Sequence, residues 1–340
     1  MGGGRTRQRR RVSDAHVRAH LFEDGRAQDF ACNEETLAEL LSDRRPGRFL
    51  WLHIAGTEGR AEELGALPVA LPPSASQALL AYETRPRCEQ IDGGVLLNLR
   101  VPLAAGEVDA GDPLASLRLW AEPGLLLSAS LRRNAVLPAV EARFHEGAMH
   151  DPGDVIIAIA TAAADMLDHS IAEIGDRVDT LETQIEPSTP FSVRREVTAL
   201  RSRAIGYRRF VVPQRQALER LAALRLDFID ERERSELLGA ADQFARMGEE
   251  LEAARERAAV LHEELTDLRG EKLDQRSLQV AIVALVFLPL TFLTGLLGMN
   301  VEGIPFAKEP WAFWGVTAVC VVMALGVAGF FMQRHWSGGD

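Results

Sequence analysis

The chain has 340 residues, of which 47% are hydrophobic and 26% are charged, and its formal net charge is −11 at pH 7. These values fit a protein of one or two ordinary domains, and the acidic balance gives no reason to expect a nucleic-acid partner. The three cysteines, Cys32, Cys88 and Cys320, are widely separated and form no C-x-x-C pair, which argues against a disulfide framework. Cys88 is expected to be buried rather than reactive.

The first 13 residues are rich in arginine and are not followed by an apolar run. A secretory signal needs such a run behind its positive charges, so residues 1–13 are predicted to be a disordered basic tail.

Residues 14–150 alternate short apolar runs with turn signals, which predicts a cytosolic α/β domain. Turns at residues 92–94 and 122–124 join neighbouring strands as hairpins, so the sheet is expected to be largely antiparallel. The strand candidates are residues 16–25, 48–56, 88–101 and 116–130, and the short helices are expected at 35–43, 59–67 and 74–83.

Residues 151–276 contain helical patterns without strand signals and are predicted to form a cytosolic helical stalk. The first helix spans about 154–186, the second spans about 192–226 with an interruption near Pro213, and the third begins near Asp230. The third helix has an apolar seam with steps of three and four, typical of packing against other helices. The seam comprises Phe244, Met247, Leu251, Ala254, Ala258, Leu261, Leu265 and Leu268.

The other faces of this third helix are acidic, with fourteen Asp and Glu against seven Arg and Lys between residues 230 and 274. A solvated charged surface explains this excess, and attraction of cations is the functional alternative. The acids that carry this alternative include Glu249, Glu250, Glu252 and Glu256.

Residues 277–297 and 311–332 contain no charged side chain, and each run is long enough to cross a bilayer as a helix. Buried core helices are the alternative, but the aromatic ends of the second run favour membrane spans. Arg269, Lys272 and Arg276 precede the first span and Arg334 follows the second. The positive-inside rule then predicts a cytosolic tail at 333–340, cytoplasmic termini and an external loop at 298–310.

Two membrane helices cannot enclose a water-filled path, so transport by this chain requires an oligomer. Counting back from Gly298 in steps of three and four gives a small or polar helix face, which would line the path. A contact between helices through small residues explains the same face equally well. The face comprises Asp274, Ser277, Ala281, Ala284, Leu288, Thr291 and Gly295.

Asn300 follows the first span directly. It could cap the helix, but in a symmetric oligomer it would form a ring of carbonyl oxygens able to hydrogen-bond the water shell of a cation. The two spans contain no His, Asp or Glu and only one thiol, Cys320. Ligands for a bare transition metal are therefore absent from the spans, and the ion is expected to pass hydrated.

The tripeptide Gly298-Met299-Asn300, after Leu288-Pro289-Leu290-Thr291-Phe292, resembles the end of the first of two spans in the CorA family of divalent metal-ion transporters. Other stretches are similar to the ZntB-like, zinc-transporting branch of that family. They are residues 83–88, 96–100, 303–305 and 311–314.

The resemblance implies a funnel-shaped homopentamer in the cell (inner) membrane, with an α/β cytosolic domain, long stalk helices and two C-terminal transmembrane helices. It implies a pore mouth formed by Gly298, Met299, Asn300 and Glu302, and a transported zinc ion without any permanently bound cofactor. Glu302 is more similar to the magnesium-transporting members, which leaves magnesium, cobalt and nickel open. The sequence contains no nucleotide-binding or nucleophile motif, so we expect no enzyme, and a membrane-anchored sensor or scaffold is the alternative class.

Two groups of histidines are candidate metal ligands. His16 and His20 lie four residues apart in a strand-like stretch, where a solvated pair is the simpler interpretation. His145, Glu146 and His150 could bind zinc in the cytosol if their side chains converged, which sequence spacing does not establish.

Overall fold

A computed structural model of the chain describes residues 17–30, 34–43, 45, 47–56, 64–65, 67–81, 85–107, 112–185, 191–299, 304, 306 and 309–336. The chain divides into two compact units, Met1–Leu261 and His262–Asp340. The predicted basic tail at 1–13, His16, Cys32, Asn300 and Glu302 lie outside the described residues.

The first unit contains a seven-stranded sheet in the order β2-β1-β3-β7-β6-β5-β4. Its neighbours pair antiparallel except β3 and β7, which are parallel, so the prediction of a largely antiparallel sheet is confirmed. The strands are β1 (Val17–Glu23), β2 (Arg26–Phe30), β3 (Arg48–Ala55), β4 (Arg87–Ile91), β5 (Gly94–Pro102), β6 (Leu114–Glu122) and β7 (Leu125–Ser130).

Strand β2 is absent from the sequence-based assignment. It pairs with β1 through a two-residue turn at Asp24 and Gly25, whose φ angles of 51° and 77° are both positive. An Asp-Gly pair suits such a turn because both central residues adopt left-handed backbone conformations. The residues of β2 are mostly polar and half-buried or exposed, so an apolar run could not reveal the strand.

Helices cover both faces of the sheet. Helices α1 (Glu34–Ser42) and α2 (Pro73–Leu80) contribute to an apolar core with side chains of β1, β3 and β7. Helices α3 (Val136–His145), α4 (Pro152–Glu182) and α5 (Phe191–Ala223) contact the sheet or one another. The fold is therefore a layered α/β domain followed by long helices.

Helix α5 continues through Pro213, so the predicted interruption is wrong. Proline removes one helical hydrogen bond and clashes with the preceding turn, at a cost of roughly 3 kcal/mol. Tertiary contacts offset this cost, because the neighbouring Val211 and Gln214 are almost fully buried and the Gln214 Oε1 accepts a 2.6 Å hydrogen bond from the Arg100 backbone N–H on β5.

Helix α6 (Glu231–Leu297) is 67 residues long and begins with reciprocal capping hydrogen bonds between Asp230 and Glu233. The predicted seam from Phe244 to Leu265 is buried, and Leu268 is half-buried. Its first part belongs to the first unit, where it is tied to α5 by the Arg208–Glu252 ion pair at 2.9 Å.

The second unit contains the remainder of α6 and helix α7 (Ala312–Trp336). By length and composition, α4 and α6 are the described helices apolar enough to cross a membrane, and α7 contributes a shorter apolar stretch, Ala312–Val327. More than half of the apolar window of α4 is buried, as in a core helix, whereas no residue of the α6 window is buried.

Candidate functional site

The apolar end of α6 is not buried by any of the residues that the structure describes. Val280, Phe287, Leu288 and Phe292 are 61–77% exposed. Soluble proteins rarely expose a continuous apolar surface of this kind without a lipid or protein surface to cover it. The exposure supports the prediction that residues 277–297 lie in a membrane or in an oligomer.

The residues predicted to line a path all lie on α6, and all are exposed in the single chain. Thr291 donates its hydroxyl to the Phe287 carbonyl at 2.7 Å, and Thr294 donates to the Leu290 carbonyl at 2.9 Å. These bonds use the hydroxyl hydrogens, so the threonine oxygens retain lone pairs that can accept from water. The residues in question are Asp274, Ser277, Ala281, Ala284, Leu288, Thr291 and Gly295.

Pro289 lies inside this apolar segment. It has no N–H for the carbonyl of Leu285, four residues earlier, so one helical hydrogen bond is missing. A shallow apolar groove borders the proline on the same helix, lined by Leu285, Leu288, Pro289, Thr291 and Phe292. Such a groove can accept the side chain of a neighbouring helix.

Helix α6 stops at the predicted pore mouth. The Gly298 N–H donates to the Thr294 carbonyl at 2.9 Å, and a Cβ on Gly298 would lie only 3.0 Å from that oxygen. A glycine therefore allows the chain to close the last turn tightly. Met299 is 49% exposed, and Asn300 and Glu302 lie outside the described residues, so their predicted roles stay predictions.

Aromatic side chains mark the start of α7. The rings of Phe306 and Trp311 lie 5.2 Å apart, and those of Phe313 and Trp314 lie 5.5 Å apart. All four are more than half exposed. Exposed aromatic rings at a helix end are typical of the boundary between lipid and water.

The acidic surface of α6 is partly neutralised. Glu252 forms ion pairs with Arg208 and Arg255, so its charge holds α6 against α5 rather than facing solvent alone. Glu249, Glu250 and Glu256 are exposed. Glu256 Oε1 lies 3.9 Å from Arg255 Nη2, so Glu249 and Glu250 are the better candidates for attracting cations from solution.

The histidine predictions need correction. His20 is only 4% exposed because it lies beneath Trp51 and Phe144, so the interpretation as a solvated residue is wrong. His145 does not converge with His150: it approaches His20 and Asp29, whereas His150 Nδ1 lies 3.3 Å from Asp154 Oδ2. Sequence spacing missed this grouping because it depends on β2.

Cys88 on β4 behaves as predicted. It is 3% exposed, and burial raises the pKa of its thiol to about 12. The thiolate needed for reactivity is therefore scarce at neutral pH.

The chain matches the family described as "CorA-like Mg2+ transporter protein" over residues 46–334. The zinc transport protein ZntB of Klebsiella pneumoniae subsp. pneumoniae is 31% identical over 293 residues, covering 84% of this chain and 87% of the relative. The zinc transport protein ZntB of Pectobacterium atrosepticum is 29% identical over 293 residues, with the same two coverages.

Solved structures show the same architecture. The full-length CmaX protein is 26% identical, with a TM-score of 0.77 over 95% of this chain and 99% of that chain. The CorA magnesium transporter from Methanocaldococcus jannaschii is 16% identical, with a TM-score of 0.74 over 94% and 98%, and shows the fold alone.

The family and these relatives are ion transporters, which confirms the expectation that the chain is not an enzyme. The family match spans most of the chain, and two similar relatives are zinc transport proteins. The chain therefore belongs to the CorA-like Mg2+ transporter family, in its ZntB-like branch, as the sequence motifs indicated.

Proposed function

We propose that this chain is a divalent metal-cation transporter of the cell membrane, with zinc as its principal ion. The observation that carries the proposal is the continuous helix α6, whose charged first part passes directly into an apolar segment without a buried residue in its most apolar window. An anchor would need the apolar segment, but not the small and polar face that runs along it. The names of the relatives support zinc as the ion.

A pore requires several copies of the chain. One or two helices cannot surround water, whereas a ring of α6 helices can. The small residues Ala281, Ala284 and Gly295 suit the side of α6 that faces the axis, and a Cβ on Gly295 would meet nothing within 4 Å in the single chain. Helix α7 then lies outside, facing lipid. The family resemblance supports five copies.

The ion is proposed to cross in hydrated form. The lining face offers hydroxyl oxygens at Ser277 and Thr291 and an exposed carboxylate at Asp274, but no imidazole or thiol. Oxygen groups can hydrogen-bond the waters of a cation without removing them. At the mouth, a ring of Asn300 side chains serves the same purpose, and Glu302 adds a field that concentrates cations.

The proposed topology has two membrane helices, residues 277–297 and 311–332, with both termini in the cytoplasm. The cluster of Arg269, Lys272 and Arg276 before the first helix supports this orientation. The α/β domain and the helical stalk of residues 151–276 are then cytosolic.

A magnesium, cobalt or nickel transporter is the second candidate. The family description names Mg2+, and Glu302 favours hard cations at the mouth. A cytosolic sensor or scaffold is less well supported, because neither role requires the polar face of α6.

The experiment is metal uptake into proteoliposomes containing the full chain, with zinc and magnesium supplied separately and with or without a pH gradient. Zinc uptake exceeding magnesium uptake supports the proposal, and magnesium uptake alone supports the second candidate. Absence of uptake of either ion by the assembled protein would favour the sensor or scaffold. Stimulation by a pH gradient would indicate proton coupling, for which Asp274, the acidic residues of the stalk and Glu302 are the candidate carboxylates.

A further inference from the structure

Three potential metal ligands meet at the outer edge of the sheet in the first unit. His20 on β1 is the direct cross-strand partner of Asp29 on β2, and His145 is the last residue of α3. The Asp29 Oδ1 lies 2.6 Å from His20 Nδ1 and 3.0 Å from His145 Nε2. The three ligand atoms all lie within 4.8 Å of one another.

The His145 nitrogen that does not face Asp29 is held by a hydrogen bond to the backbone. Its Nδ1 lies 2.6 Å from the backbone carbonyl of Glu141, one helical turn earlier. A carbonyl oxygen can only accept, so His145 Nδ1 carries the hydrogen of this bond, and Nε2 is left to face Asp29. Metal-binding histidines are commonly held by such a bond from the nitrogen that does not bind the metal.

The second nitrogen of His20 also faces Glu141. His20 Nε2 lies 3.8 Å from Glu141 Oε1, and both atoms are buried without a hydrogen-bond partner among the described residues. The other carboxylate oxygen of Glu141 accepts a 2.6 Å hydrogen bond from Arg18. If a metal occupied His20 Nδ1, the ring proton would move to Nε2 and face this unpartnered carboxylate oxygen.

The His20 ring is held by its neighbours, whereas the Asp29 side chain is open to solvent. The rings of Trp51 and Phe144 lie 5.0 Å and 5.7 Å from the His20 ring and hold it in place. The Asp29 side chain is 62% exposed, so it can adjust and an ion can enter from solvent. Ligand atoms of a tetrahedral zinc ion are separated by about 3.4 Å. Asp29 Oδ1 would therefore withdraw by less than about 1 Å from each histidine nitrogen, and the two nitrogens, which lie within 4.8 Å of each other, would approach by up to about 1.4 Å.

We propose that His20 Nδ1, Asp29 Oδ1 and His145 Nε2 form a binding site for a zinc-class divalent cation, with water as the fourth ligand. Two neutral imidazoles and one carboxylate suit zinc and related transition metals, whereas magnesium prefers oxygen ligands in octahedral geometry. The site belongs to the α/β domain and is independent of which ion the chain transports. It differs from the proposed transport path, where the ion keeps its water shell.

Cobalt(II) provides a probe that separates the two kinds of site, because tetrahedral cobalt absorbs visible light strongly and hydrated octahedral cobalt does so weakly. The full chain in mild detergent would be titrated with cobalt and then with zinc or magnesium. We expect one tetrahedral cobalt per subunit, displaced by zinc and retained in magnesium.

Asp29→Asn and His145→Gln change exposed positions and should each remove the tetrahedral band, with at least a tenfold loss of cobalt affinity. His150→Gln is the matched control, because this exposed histidine is near in sequence but pairs with Asp154. Thermal melts without metal check that each variant is folded. An octahedral spectrum in the parent protein, or an unchanged band in both folded variants, would overturn the proposal.

Discussion

Glu233, at the start of α6, is a carboxyl group in an unfavourable environment. It is 3% exposed, and its Oε1 has no hydrogen-bond partner among the described residues, while its Oε2 accepts from the Asp230 N–H at 2.6 Å. Its pKa is raised from 4.5 to about 7, because burial and the nearby carboxylates of Asp151 and Asp154 raise the pKa by more than the hydrogen bond from the Asp230 N–H lowers it. Burial also raises the pKa of Asp151. The folded chain therefore binds a proton here that the unfolded chain releases at lower pH.

The sign of the resulting pH dependence follows from this difference. The stabilisation from protonated Glu233 is fully present below pH 4.5 and is lost as the pH rises through about 7. Glu233→Gln keeps the capping oxygen and removes the charge, so we expect it to raise the melting temperature at pH 8 and to leave it almost unchanged at pH 5. Thermal melts of the full chain at both pH values measure this effect.

Glu236→Gln is the matched control, because Glu236 lies one turn later on α6 in an exposed pair with Arg232. It should change the melting temperature little at either pH. Equal effects of the two variants at pH 8 would contradict the prediction, because they would show that a charge on Glu233 costs the fold no more than a charge on the exposed Glu236.

Two glycines are predicted to respond oppositely to the same substitution. A Cβ on Gly94 would overlap the buried Trp120 ring and lie 2.9 Å from the Ala121 carbonyl, whereas a Cβ on Gly175 in α4 would meet nothing within 4 Å. We expect Gly94→Ala to destabilise the chain by about 1–3 kcal/mol through overpacking. We expect Gly175→Ala to stabilise it by up to about 1 kcal/mol through helix propensity. Melting temperatures that fall for both would contradict the open space at Gly175.

At the scale of elements, apolar patterning predicted most of the fold. The hairpin of β4 and β5, the hairpin of β6 and β7, and the start of α6 near Asp230 all follow from local signals. Strand β2 does not follow from local signals, because its mostly polar residues form a strand only by pairing with β1. The Asp24-Gly25 turn was the available signal.

Tertiary contacts also explain why the sequence does not reveal the grouping of His20, Asp29 and His145. His20 and His145 are brought together by the docking of α3 beside β2, across more than a hundred residues of chain. The spacing of residues along the sequence does not predict a contact between residues so far apart. Pro213 shows the reverse error, since a strong local signal for a helix break is overcome by tertiary packing.

The acids of α6 divide into two classes with different expected effects. Neutralising the exposed Glu249 and Glu250 together, as Glu249→Gln with Glu250→Gln, should reduce ion uptake at low ionic strength and have little effect at high ionic strength, where charges are screened. Glu252→Gln should instead lower the melting temperature, because it removes ion pairs to Arg208 and Arg255. Uptake that is unchanged at both salt concentrations would make Glu249 and Glu250 simply solvated surface residues.

At the scale of the whole molecule, the exposed apolar segment of α6 needs a lipid or protein surface to cover it. Purified chain in mild detergent is predicted to form a complex of about five subunits. Several copies are needed because two membrane helices cannot enclose a water-filled path, and the number five comes from the family resemblance. Mass measurement by light scattering, corrected for detergent, tests this directly. A stable monomer that still transports ions would contradict the pore.

The central claim is that the end of α6 forms the mouth of a cation path. Asn300→Ala removes the side-chain carbonyl proposed to bind the hydrated ion, while a residue at the mouth should contribute little to assembly. The decisive measurement is zinc and magnesium uptake into proteoliposomes by the parent chain and by Asn300→Ala, each first shown to have the same oligomeric mass. We expect rapid uptake by the parent and little or none by the variant. Uptake at the parent rate by a correctly assembled Asn300→Ala oligomer would contradict it.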